Sequence, residues 1–95
     1  MEGVRGQESF ETQFARFEKF WNSLKEKGFD MFDLKIVKEN LECGKPVPVV
    51  HDGIDGARAY YRKSTGIKIW YTNSFENPDN PKRKEIEVIW TEINK

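Results

Sequence analysis

The residues best suited to chemistry lie in one stretch, ARAYYRKSTGIKIWYTN at residues 57–73, which holds four aromatic rings and four cations around a short turn. Single-stranded nucleic acids bind where bases stack on rings and phosphates meet Lys or Arg. Five residues are predicted to share one face of a hairpin there: Arg58, Tyr60, Arg62, Lys68 and Trp70. They predict a basic and aromatic surface that binds nucleic acid or an acidic protein surface.

The face assignment depends on the turn. Ser64-Thr65-Gly66 suits a three-residue hairpin loop, because Gly66 adopts the left-handed region without strain from a Cβ atom. That register predicts Tyr60 opposite Trp70 on the outer face, and Tyr61 opposite Ile69 on the core side. A two-residue loop at Ser64-Thr65 would shift the register and separate the two outer rings.

A purely structural interpretation of the same residues stays open. Strands favour Tyr and Trp, and the stems of Arg and Lys commonly lie along ring faces. Glu85 and Glu87 belong to a segment that alternates like a strand. If that strand pairs with residues 66–73, both acids stand beside Lys68 and neutralise it. The sequence alone does not decide whether the basic face is free.

Other chemistry has weaker support. His51 is the only histidine, within HDGIDG. Aligning that loop with an EF-hand puts Arg62 where the bidentate Glu should be, and one His cannot make a zinc site. Cys43, the only cysteine, could pair with His51 as nucleophile and base, but a lone Cys is more often a small apolar residue. We therefore expect no metal, no cofactor and no covalent catalysis.

Length and charge limit the classes of protein. Ninety-five residues suit one domain, and an aromatic fraction of 14% can close a small core. The 16 cations and 16 acids sum to zero, which argues against a polybasic protein drawn everywhere to phosphate. Residues 58–84 nevertheless carry seven Lys or Arg against two acids.

The expected setting is cytoplasmic. One cysteine allows no intrachain disulfide, which is typical of a reducing compartment. The first ten residues have no apolar run, so we expect no secretory leader. The longest aliphatic cluster, Val47 to Val50, is too short to cross a bilayer, so no membrane partner is expected. A protein of a virus or mobile element would have the same features.

The elements that position these residues follow from periodicity. Five apolar residues recur at spacings of four and three, which predicts a core-facing helix over residues 9–28: Phe10, Phe14, Phe17, Trp21 and Leu24. Ser9 is the expected N-cap, and Gly28 the residue that ends the helix.

The rest of the chain predicts strands and turns. Alternation over residues 31–38 predicts a strand with Phe32, Leu34 and Ile36 inward. PVPVV at 46–50 predicts an edge strand, because proline lacks a ladder donor. Asp-Gly pairs at 52–53 and 55–56 predict two turns. Two Asn-Pro steps predict a loop over 74–83, and KEIEVIWTEI at 84–93 predicts a final strand.

Together these elements predict an α+β fold in which one N-terminal amphipathic helix packs on an antiparallel sheet of three to four strands. Residues 1–8 are expected to be a flexible N-terminus, and residues 9–95 a single α+β domain. The predicted function is a small non-catalytic binding module that presents its basic and aromatic hairpin face to a partner.

Two other functions remain open. A small metal-independent ribonuclease of the toxin kind would use His51 and Arg62 for positioning and charge stabilisation. An inhibitor or immunity-type protein would act by covering the site of another protein, and a net charge of zero suits that function equally well.

Overall fold

The N-terminal helix forms as the sequence predicts. The computed structural model describes residues 8–53 and 55–95, without the side chains of residues 52 and 55. Helix α1 spans Phe10–Glu26, and the Ser9 hydroxyl accepts a hydrogen bond from the Thr12 N–H at 3.2 Å. At its end, Gly28 has φ 95°, and the Phe29 N–H donates to the Leu24 carbonyl at 3.2 Å. This is the Schellman arrangement that glycine favours.

The sheet has four antiparallel strands, and the α+β fold class is confirmed. The strands lie in chain order, with bounds β1 Asp30–Met31, β2 Val47–Asp52, β3 Asp55–Arg62 and β4 Gly66–Thr72. Strand β1 pairs with β2 only at Asp30↔His51 and Met31↔Val50. The β2 segment predicted as an edge strand is therefore second in the sheet, although β1 covers only two of its residues.

The strand predicted over residues 31–38 is wrong beyond Met31. Helix α2 spans Leu34–Glu42, and the Asp33 carboxylate caps it by accepting from the N–H of Lys35 at 2.8 Å. Val37 and Leu41 are fully buried, whereas Ile36 is 55% exposed. The apolar spacing of three and four residues from Leu34 therefore decides the structure, because the Asp33 cap lets it continue as a helix.

The prediction of a final strand over residues 84–93 is also wrong, and the predicted loop over 74–83 does not extend to its C-terminal end. A short 3-10 helix spans Asn73–Glu76, and helix α3 spans Pro81–Ile93 with Asn80 as its N-cap. An Asn-Pro step disfavours helix before the proline, but Pro81 itself suits the first helical position. Ile86 is buried but Val88 is 60% exposed, whereas both would point inward in the predicted strand.

Of the two predicted Asp-Gly turns, only the first is a turn. Gly53 has φ 66° between β2 and β3. Gly56 lies inside β3, opposite His51. A Cβ atom there would come within 2.1 Å of the Val50 carbonyl oxygen, so close strand approach requires the glycine. The irregular register between Pro48 and Val50 lies next to this contact.

The three α-helices of the described residues contribute to one core on one face of the sheet. Phe17 and Phe20 of α1 contact Trp90 of α3, with ring centroids 6.2 and 4.8 Å apart. The sheet contributes Ala57, Ala59 and Ile67 to the same cluster. The sequence pattern missed Phe20, which is fully buried.

The domain is small and single, and its N-terminal end is partly described. Residues 1–7 of the segment predicted to be flexible lie outside the described residues. Glu8 is described, and its carboxylate forms an ion pair with Arg16 of α1. Within residues 8–53 and 55–95, no helix has the length and apolar character needed to span a membrane.

Candidate functional site

The candidate site is the outer face of the β3–β4 hairpin, and its register differs from the predicted one. Tyr60 lies opposite Lys68, Arg58 opposite Trp70, and Arg62 opposite Gly66. The loop is therefore 63–65, one residue earlier than predicted, and the register is shifted by two. Because side chains alternate with a period of two, a shift of two leaves each residue on its predicted face.

The five candidate residues thus share one face, which we call the basic-aromatic face: Arg58, Tyr60, Arg62, Lys68 and Trp70. Tyr60 and Trp70 are diagonal neighbours, with ring centroids 5.3 Å apart and planes inclined by 52°. The Arg62 guanidinium lies 5.1 Å from the centre of the Tyr60 ring. Both rings are partly exposed on neighbouring strands. The predicted direct Tyr60–Trp70 pairing is wrong, but the ring contact exists.

The cations of the basic-aromatic face are not neutralised by acids among the described residues. Arg58, Arg62 and Lys68 are exposed, and none forms an ion pair with any residue in the described part of the chain. Glu85 instead pairs with Lys27 at 3.4 Å, and Glu87 with Arg83 at 3.2 Å. The predicted cross-strand neutralisation is absent because the segment that carries both acids is a helix.

Acids do approach one border of the face. An open cleft of about 670 Å³ runs between β4 and α3, and its lining includes Lys68 and Trp70 together with Glu76 and Glu87. The basic-aromatic face is therefore most strongly positive on its β3 side, where Arg58 and Arg62 stand.

Tyr71 lies on the opposite side of β4 from Trp70 and is held by α3. The Arg83 guanidinium lies 4.5 Å from the centre of its ring. Burial raises the pKa of Tyr71 from 10.0 to about 12; the Glu87 carboxylate adds to the rise and the Arg83 charge opposes it. The sequence missed this cation–ring contact because it treated residue 83 as part of a loop.

His51 lies at the other end of the outer face and does not meet Arg62. His51 pairs across the sheet with Gly56, and its ring contacts Phe32 edge-on at 5.6 Å. Gly56 and Arg62 are six positions apart along β3, a distance of roughly 20 Å at strand spacing. The two residues named for a ribonuclease are thus far apart, and Phe32, predicted to be in the core, stands beside His51.

The remaining candidates for chemistry are not assembled into a site. Cys43 is exposed where α2 ends. Over the described parts of the chain, no three His, Cys, Asp or Glu side chains are grouped to hold a metal ion. Residue 54 and the side chains of residues 52 and 55, which belong to the HDGIDG loop, lie outside the described residues.

Comparison of the chain with family models, with curated proteins and with solved structures gave no match.

Proposed function

We propose that this protein is a small non-catalytic module that binds single-stranded nucleic acid on its basic-aromatic face. One observation carries the proposal: two contacting, partly exposed rings stand among three cations that have no ion-pair partner among the described residues. Bases stack on such rings, and cations beside them contact the phosphates. A reducing cytoplasmic setting, expected from the single cysteine, belongs to the same proposal.

The role of each residue follows from its position. Trp70 offers the larger ring, and it lies opposite Arg58, which would meet the phosphate beside a stacked base. The Arg62 guanidinium lies over the Tyr60 ring, 5.1 Å from its centre. Before a base can stack on Tyr60, this guanidinium has to move aside or stack on the base itself. Trp70 should accordingly contribute more to binding than Tyr60.

The test is a fluorescence anisotropy titration with a labelled single-stranded oligonucleotide of roughly ten nucleotides, a length within known site sizes. Trp70→Ala should weaken binding by about 1–3 kcal/mol, the value of one stacked base. It should leave the melting temperature nearly unchanged, because Trp70 lies outside the core. Arg62→Ala should weaken binding less, and it should lower the salt dependence because one phosphate contact is lost.

The matched control is Lys19→Ala, which removes an exposed cation from the helical side of the molecule. Oligonucleotide affinity and its salt dependence should not change in this variant. Because the chain has a net charge of zero, general attraction to phosphate is weak, and any affinity reports on the face. Absence of binding at low salt, where phosphate contacts are strongest, would contradict the proposal and favour an acidic protein partner.

A further inference from the structure

Along the outer edge of β4, some backbone groups have no hydrogen-bond partner among the described residues. The Ile67 N–H donates to the Gln13 side-chain oxygen at 3.1 Å, so the backbone of Ile67 points away from β3. Because hydrogen-bonding directions alternate along an antiparallel strand, the N–H and C=O groups of Ile69 and Tyr71 point the same way. Neither residue has a backbone partner on that side among the residues that the structure describes. Such an edge is a template for another strand.

The open part of the edge is short and has space beside it. Gln13 occupies the edge at Ile67, and the strand ends at Thr72, since Asn73 has φ 54°. Between these limits, the cleft of about 670 Å³ lies alongside β4. Lys68 and Arg83 in its lining are balanced by Glu76 and Glu87, so the cleft has no charge preference for an acidic or a basic peptide.

We propose that β4 pairs with β4 of a second copy of this chain, antiparallel, about a two-fold axis that passes through Trp70. Ile69 then lies opposite Tyr71 of the second copy, and the two pairs form four backbone hydrogen bonds from the free groups alone. The Gln13 contact to Ile67 stays intact.

A second copy fits this edge because the facing side chains match. Trp70 faces Trp70 of the second copy, Ile69 faces Tyr71, and Lys68 faces Thr72, so no like charges stand opposite each other. Aromatic and aliphatic cross-strand pairs stabilise antiparallel sheets. Two-fold pairing also uses the same edge of both chains, so the assembly closes at a dimer and does not extend into a fibre.

The dimer has one consequence for the outer face. A two-fold axis perpendicular to the sheet keeps both basic-aromatic faces on the same side, with the two Trp70 rings adjacent at the centre. The dimer does not depend on the proposed function, because its hydrogen bonds involve only backbone groups of β4. Its mass is measured without nucleic acid, so the two proposals fail separately.

The first experiment measures mass by sedimentation equilibrium over a range of protein concentrations. We expect twice the chain mass of 11.2 kDa at high concentration and a single chain on dilution. Ile69→Pro removes an outward N–H that has no partner among the described residues, so it should give a monomer. Because the Ile69 side chain also packs against the core, Ile69→Ala is the control: it loses that packing but keeps the N–H, and it should still dimerise. A wild-type protein that stays monomeric up to millimolar concentration would overturn the proposal.

The second experiment tests the register by disulfide trapping in a Cys43→Ser background. Trp70→Cys should cross-link two chains under mild oxidation, because facing residues of a non-hydrogen-bonded pair have Cα atoms about 4.5 Å apart, within disulfide range. The control Lys68→Cys should not cross-link, since the two positions would lie roughly 13 Å apart. Equal cross-linking of both variants, or none of Trp70→Cys, would overturn the two-fold register.

Discussion

Tyr60 and Tyr61 are adjacent in the chain and have different surroundings. Tyr60 contacts Trp70 on the outer face, whereas Tyr61 contacts Phe10 of α1 edge-on, with ring centroids 5.0 Å apart. The difference arises from strand alternation, which sends neighbouring side chains to opposite faces. A change at Tyr61 should therefore affect stability, and a change at Tyr60 should affect the outer surface.

Tyr71 makes stability depend on pH in the alkaline range. Its pKa is about 12 in the folded chain, because burial and Glu87 oppose the phenolate, against 10.0 for an ordinary tyrosine. Between those values the folded chain holds a proton that the unfolded chain has lost, so the free energy of unfolding falls as pH rises. The contribution is complete below pH 10 and is lost as pH passes 12. Because Tyr71 is partly exposed, solvent screens this effect, and we expect the free energy of unfolding to fall by only on the order of 1 kcal/mol.

Urea unfolding at several pH values checks this loss, with Tyr71→Phe as the control because other groups also titrate there. The fall in stability above pH 10 should be shallower in Tyr71→Phe than in the wild type. Tyrosinate absorbance should also show a step near pH 12 that the variant lacks. Identical pH profiles for the two proteins would refute the assignment to Tyr71.

At the scale of elements, the sequence predicted the faces of the hairpin better than its register. Gly66 does adopt a positive φ of 83°, as the turn argument expects. The position of Gly66 does not determine where pairing between β3 and β4 starts. Gly66 is itself paired with Arg62, so the loop is 63–65. The Gln13 side chain of α1 also contacts the start of β4, because its oxygen accepts a hydrogen bond from the Ile67 N–H. A contact between residues so distant in sequence is not visible in a local pattern.

The two segments wrongly predicted as strands show why alternation is ambiguous. In both, every second residue is apolar over a short window, but a different set of apolar residues recurs at spacings of three and four or of three and one: Leu34, Val37 and Leu41 in the first segment, and Ile86, Ile89 and Trp90 in the second. Asp33 and Asn80 are the features that distinguish the two structures, because each caps a helix that starts at the next residue. These two caps are visible in the sequence and indicate both helices. The burial of Phe20, in contrast, depends on tertiary packing, which a local pattern does not contain.

The cap of α3 gives a prediction at this scale. The Asn80 side chain accepts from the Lys82 N–H at 2.9 Å and donates to the Ser74 carbonyl at 3.1 Å, so it joins α3 to the 3-10 helix. Asn80→Ala should lower the free energy of unfolding by about 1–2 kcal/mol, the usual cost of losing a cap.

Asn80→Asp is the matched control, because a carboxylate also caps a helix and suits its N-terminal dipole. It should retain most of the stability, with a small loss from the missing bond to Ser74. Chemical denaturation followed by circular dichroism measures both variants. If Asn80→Ala were as stable as the wild type, the cap would not hold α3 in place.

At the scale of the whole molecule, the fold divides into a covered side and an open side. The helices cover the face of the sheet that carries Ala57, Ala59 and Ile67, and the opposite face carries the basic-aromatic residues. A sheet with one buried face normally has polar residues on the other, so exposed rings there are the unusual feature. The outer edge of β4 borders both sides, so the proposed pairing there would extend the open face.

Phe17 tests whether the covered side carries most of the stability. It is fully buried and contacts Phe14, Phe20 and Trp90, so it joins α1 to α3 above the sheet. Phe17→Ala should cost about 3–5 kcal/mol, which is a large fraction of the total stability of a domain this small. Lys19→Ala, on the exposed side of the same helix, should change stability by less than about 0.5 kcal/mol. Thermal unfolding followed at 222 nm compares the two variants. A melting temperature for Phe17→Ala that matches the control would show that α1 does not hold the core together.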